Sequence, residues 1–124
     1  MKKEERKIFT AAIAEYGEVE QMGIAQEECS ELIQAISKYH RAQMSTDSRH
    51  RKKDIERAEK QLIEEIADVS IMIDQLKLMI HGNHNDVRAA KVARLGARLE
   101  KAADVKARKP RAKNPDPAEE AETE

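Results

Sequence analysis

The sequence predicts an all-α fold of four helices, and three observations carry that expectation. Its 40% hydrophobic content lies in Ile, Leu, Ala, Val and Met, with no Trp, one Phe and two Tyr, so the aromatic residues that favour strands are nearly absent. Apolar residues recur at spacings of three and four through long stretches, which is the period of an amphipathic helix. Regular turn signals are missing as well, with only 4 Gly and 3 Pro to punctuate a series of short strands. At 124 residues the chain is long enough for one core but not for two.

A first helix is expected over Lys3–Tyr16, with Ile8, Phe9, Ala12 and Ile13 as its buried stripe and Gly17 as its stop. It is short, and packs as a lid on the longer helices. The second spans about 18–43, where Met22, Ala25, Cys29, Leu32, Ile36 and Tyr39 form the apolar face. The pattern then lapses into a polar, mostly basic loop at 45–53. A third helix starts near Asp54, becomes apolar at Leu62, Ile63, Ile66, Val69, Ile73, Leu76 and Ile80, and ends at Gly82 as a left-handed cap. Ile71 and Leu78 add a second apolar row to this helix. A helix apolar on more than one side needs more partners than a chain this short supplies, so a homo-oligomer, dimer or tetramer, is expected to use it as an interface. The fourth helix, 85–102, offers Val87, Ala90, Val92, Leu95 and Leu99. Residues 103–124, with three prolines, a basic block and an acidic end, are expected to form a disordered tail to a 1–102 domain.

Charge excludes some functions. Although 38% of residues are charged, 23 Lys and Arg against 24 Asp and Glu leave a net charge of -1, so the chain has no general bias toward polyanions. One cysteine makes no internal disulfide, and no Cys/His spacing suggests structural zinc; Cys29 is expected to be a small core residue. Neither a signal peptide nor a stretch of roughly 20 apolar residues is present, which points to a cytoplasmic, soluble protein.

The feature that carries chemistry is a pair of acid clusters, Glu27-Glu28-Cys29-Ser30-Glu31 and Glu64-Glu65-Ile66-Ala67-Asp68, each inside an apolar helical run. On a helix Glu28 and Glu31 project about 60° apart, as do Glu65 and Asp68. Both pairs lie at the rim of the apolar seam, so two helices packed antiparallel set them opposite each other. Carboxylates at a core border are costly to desolvate without a cation, and an all-oxygen ligand set suits Mg²⁺, with Mn²⁺ as a substitute. A di-iron centre would want Glu-x-x-His pairs, which neither helix has. Against this stands the plain alternative of a solvated charged face.

The segments Gln26-Glu27-Glu28-Cys29-Ser30-Glu31-Leu32-Ile33-Gln34-Ala35 and Ile63-Glu64-Glu65-Ile66-Ala67-Asp68-Val69 resemble the paired ExxE and ExxD motifs of MazG-like, all-α nucleoside triphosphate pyrophosphohydrolases. The similarity extends from about Tyr16 to Leu99. It implies a four-helix, bundle-like MazG-type fold and Mg²⁺-dependent cleavage of a (deoxy)nucleoside triphosphate to the monophosphate and pyrophosphate. Glu28, Glu31, Glu65 and Asp68 would then be the catalytic metal ligands. The stretch between the motifs is longer than the family usually shows, with the excess in the loop at 45–53.

Further candidates are weaker. Lys38 lies on the acid-bearing side of helix two and is placed as a substrate-binding residue that meets a phosphate oxygen, against a solvated lysine. Gln21 is expected to be an exposed amide, with base or ribose contact as the alternative. Lys91 and Arg94 are either surface charges or a cover for the triphosphate. Glu27 and Glu64 point outward, and His40, His81 and His84 lack ligand-like spacing. Arg49, Arg51, Lys52 and Lys53 have no aromatic interleaved for base stacking, so no nucleic-acid partner is expected. The rival function is a non-catalytic helical adaptor or nucleic-acid accessory protein acting through this loop and the tail.

Overall fold

Gly17 sets the first corner of the chain. Its φ of 89° and ψ of 151° lie in a region that essentially only glycine occupies. Its N–H donates to the Ile13 carbonyl at 2.9 Å while its own carbonyl accepts the Gln21 N–H at 3.1 Å, so one residue ends α1 (Lys3–Tyr16) and starts α2 (Glu18–Met44). The computed structural model describes residues 1–108. Among these the fold is entirely helical, continuing with α3 (Arg51–Met79) and α4 (His84–Arg108). No helix among them is long and apolar enough to cross a membrane.

Helix starts follow local polar chemistry. The Lys2 N–H donates to Glu5 Oε2 at 2.9 Å at the head of α1. At the head of α4, Asn83 Nδ2 donates to Asp86 Oδ2 while the Asp86 N–H donates back to Asn83 Oδ1 at 3.3 Å, a reciprocal pairing that satisfies otherwise orphaned groups. In the α2–α3 connection, Asp47 Oδ1 accepts the Arg49 N–H at 3.0 Å. Arg51 Nη2 donates to the Gln43 carbonyl at 2.9 Å, which sets a cation on the negative end of α2.

Three boundaries differ from the sequence expectation. The α3 helix begins at Arg51 instead of near Asp54, because the basic stretch is compatible with a helical first turn once Arg51 reaches back to α2. It ends at Met79 with Ile80 as cap, and Gly82 is not a left-handed cap, since Gly17 is the one residue with positive φ among those described. The α4 helix runs on to Arg108, six residues past the expected end at Ala102, because Val105 and its neighbours are good or neutral helix formers and no proline intervenes before 110. The rest of the expected tail, 109–124, lies outside the described residues.

The chain divides into two units, the first from Met1 to Gly82 and the second beginning at Asn83. In the first unit α2 and α3 pack as a long antiparallel hairpin, with α1 against both. The packed line of α2 holds Gln21, Ala25, Leu32, Ala35 and Tyr39, with Ala35 fully buried; that of α3 holds Ala58, Leu62, Val69, Met72, Gln75, Leu76 and Met79. These positions alternate by three and four. Phe9 is the one buried residue of α1; Ile8, expected beside it, is 65% exposed. The described part of the second unit is α4, which has no buried residue.

This packing line is not centred on the apolar stripe. On α2 the residues Met22, Cys29 and Ile36 sit about 100° from Glu28 on the helical wheel, as do Ile66 and Ile73 from Glu65 on α3. Because the helices are antiparallel, both offset rows fall on the same side of the hairpin. They stay exposed, with Ile36 at 50%, Ile66 at 52% and Ile73 at 45%. Cys29, expected in the core, is exposed too: it lines an apolar groove of about 840 Å³ with Val19, Met22, Ala25, Ile33 and Leu76. The expected second row of Ile71 and Leu78 is less open, at 42% for Ile71 and half-buried for Leu78; the more exposed row is the one through Ile63, Ile66, Ile73 and Ile80.

Candidate metal centre

The acids lie along the packed line and on the side of the hairpin away from the apolar rows. Glu28 sits between Ala25 and Leu32 on α2, and Glu65 between Leu62 and Val69 on α3, so each carboxylate is held at the helix–helix seam by apolar residues one turn away on both sides. Glu28, Glu31 and Glu65 each offer one carboxylate oxygen, and the three oxygens lie within 4.8 Å of one another. Asp68 is not part of that triad and is exposed. Its charge still acts on both Glu28 and Glu65. The hairpin thus gathers three of the four acids and leaves the fourth beside them.

Two atoms in this cluster are anomalous. Glu28 Oε2 and Glu65 Oε2 are both shielded from solvent, and neither has a hydrogen-bond donor among the described residues. Buried carboxylate oxygens are ordinarily satisfied by donors or by a cation. Loss of water at the seam pushes the Glu28 carboxyl above its ordinary value of 4.5, and Glu31, Asp68, Glu65 and Glu27 add repulsion in that order. Glu65 is raised by the same loss of water and then by Glu31, Asp68 and Glu64, while Lys38 pulls it back. Lys38 therefore stands close enough to act on the cluster, at the same side of α2 as Glu31. Carboxylates that repel one another, with one oxygen of each gathered within 4.8 Å, fit a divalent cation bound by oxygen.

These shifts fix the direction of a stability change with pH. A carboxyl whose folded value is raised stabilises the fold below 4.5, its ordinary value, and that contribution is lost as pH rises through the folded value. Glu65→Gln removes one such charge. In EDTA it is expected to raise the melting temperature at pH 7.5 relative to the unaltered chain, with the difference closing as pH approaches 4.5. Thermal melts across that range check it; a variant that melts lower at pH 7.5 would contradict the repulsion.

Gln21 is buried rather than exposed, at 4%, and its Nε2 donates to Gln75 Oε1 at 2.7 Å, with Gln75 at 5%. The pair locks α2 to α3 two turns from Glu28. Seven-residue spacing put Gln21, Glu28 and Ala35 in one line, and that signal could have placed Gln21 at the seam. Glu27 and Glu64 are exposed, as are His40 and His81. Lys91 and Arg94 are exposed on α4, in the second unit. Sequence reasoning missed Arg41 and Arg57, which the hairpin brings to one cleft with Lys38; they belong to no motif.

No family model matches the chain, and neither the curated proteins nor the solved structures offer a match.

Proposed function

We propose that the α1–α3 unit is a Mg²⁺-dependent nucleoside triphosphate pyrophosphohydrolase of the MazG-like kind, converting a (deoxy)nucleoside triphosphate and water to the monophosphate and pyrophosphate. The observation that carries this reading is the gathering of one carboxylate oxygen each from Glu28, Glu31 and Glu65 within 4.8 Å of one another, at residues of which Glu28 and Glu65 each also hold a solvent-shielded Oε2 with no hydrogen-bond partner among the described residues. Glu28, Glu31 and Glu65 would hold the ion, with Asp68 completing the set from the open edge. When bound, Mg²⁺ neutralises phosphate charge and lowers the pKa of a coordinated water. Lys38 offers a point charge to a phosphate oxygen next to Glu65, and the Gln21–Gln75 bond holds the two acid-bearing helices in register.

The same reading includes a homo-oligomer. Met22, Ile33 and Ile36 on α2, and Ile63, Ile66, Ile73 and Ile80 on α3, leave one side of the hairpin apolar and open, a surface that association would bury.

A pyrophosphate-release screen over nucleoside triphosphates, with and without Mg²⁺, tests the activity. Release with at least one nucleotide, dependent on Mg²⁺, and a rise in melting temperature with Mg²⁺ plus that nucleotide are expected. If neither release nor a thermal shift occurs with any nucleotide, the chain is a non-catalytic helical adaptor instead.

A further inference from the structure

Toward the α2–α3 connection the hairpin contains a separate cleft of about 350 Å³, whose polar lining is Lys38, Arg41, Ser45, Asp54, Arg57 and Gln61. Three cations face one acid across it. None of the three cations forms an ion pair among the described residues, although the chain has acids in excess of bases. Ala42 and Ala58 line the cleft between them, and their short side chains leave its centre open. Ser45 Oγ accepts the Asp47 N–H at 3.3 Å, which leaves the hydroxyl proton free to donate outward. The lining therefore presents two guanidinium forks, an ammonium, a hydroxyl and an amide against the single Asp54 carboxylate, an excess of donors and of positive charge.

Unpaired cations converging on one space repel each other until an anion enters, and guanidinium forks match the oxygens of a phosphate in pairs. Lys38 belongs both to this cleft and to the field at Glu65. It stands seven residues from Glu31, about 10 Å along the helix axis, a distance that extended arginine side chains and an oligophosphate can span together. We infer that the cleft formed by Lys38, Arg41 and Arg57 is an oligophosphate site, holding the outer phosphates of a bound nucleotide or released pyrophosphate. Its purpose rests on the hydrolase reading; its occupancy by an oligophosphate does not. Arg41 in the last turn of α2 and Arg57 near the start of α3 lie on either side of the connection at 45–50, and the cleft gives them a role that the acid motifs do not supply.

Titration calorimetry of inorganic pyrophosphate into the full chain in EDTA tests occupancy without catalysis. Binding that weakens about tenfold in Arg41→Gln and again in Arg57→Gln, and that weakens with added salt, is expected. Both arginines are exposed, so the variants should keep their helical circular dichroism. Absent pyrophosphate binding, or binding unchanged in both variants, overturns the site. A second arm uses a non-hydrolysable α,β-imido deoxynucleoside triphosphate with Mg²⁺. Tighter binding of the analogue than of pyrophosphate, lost in the same variants, assigns the cleft to the substrate's outer phosphates; arginine-dependent binding of pyrophosphate alone assigns it to the product. If pyrophosphate binds through the arginines while no nucleotide is turned over, the cleft stands and the hydrolase reading falls. If nucleotides are turned over with KM and kcat unaltered in both variants, the hydrolase reading stands and the cleft falls.

Discussion

Glu65→Ala is expected to lower pyrophosphate release by about a hundredfold or more while the helical circular dichroism signal is retained, a loss of the size seen when a charge-stabilising group is removed from an active site. Glu65 is the sole α3 member of the triad of oxygens within 4.8 Å. Without it the remaining members of the triad, Glu28 and Glu31, lie on one helix, and α3 is left with only the exposed Asp68 beside them. Asp68→Ala is expected to be inactive as well, because Asp68 acts on Glu28 and Glu65 from the edge of the cluster. The fold should survive both changes, since the packed line of α3 runs through Val69, Met72 and Met79 and loss of a repelled carboxylate relieves the seam. Turnover by purified Glu65→Ala at the rate of the unaltered chain would count directly against the metal centre.

The second large effect concerns assembly. The double substitution Ile66→Glu and Ile73→Glu is expected to leave a monomer at micromolar concentrations where the unaltered chain is a dimer or tetramer, as read by light scattering after size exclusion. Both side chains are about half exposed in the isolated hairpin, so the change should cost the monomer little. Full burial of an isoleucine is worth about 1.5–3 kcal/mol, of which association would add roughly the half still exposed, and the interface would carry each residue at least twice by symmetry. Setting carboxylates there also demands their desolvation. An unaltered chain that is already monomeric, or a variant of unchanged mass, would remove this face as the interface.

How far the residues were legible depends on what each one answers to. Lys3–Tyr16 was readable because Gly17 closes it through a backbone geometry that a single residue dictates. The acid pairs were readable as a site candidate because a three-residue spacing on a helix fixes a direction without any partner. Cys29 and Gln21 were misplaced for one shared reason. The apolar stripe of α2 is wider than the line that α3 covers, so hydrophobicity alone centred the contact on Cys29 and put Gln21 outside it. In the fold the contact is rotated toward Gln21, Glu28 and Ala35, where the Gln21–Gln75 bond and the small Ala35 side chain allow close approach.

Sequence by itself determined that residues 3–102 are helical apart from their corners, where those corners fall to within a few residues, and that two acid pairs ride on consecutive helices. Only the tertiary structure decided that Glu28, Glu31 and Glu65 meet while Asp68 stands beside them, that Lys38, Arg41 and Arg57 share a cleft, and that the isoleucine rows lie open on the opposite side. Periodicity is a property of one helix, set by the 3.6-residue turn. Rotation of one helix against another is a joint property of both surfaces, and it is this rotation that places every side chain either in the seam, at the acids or in water.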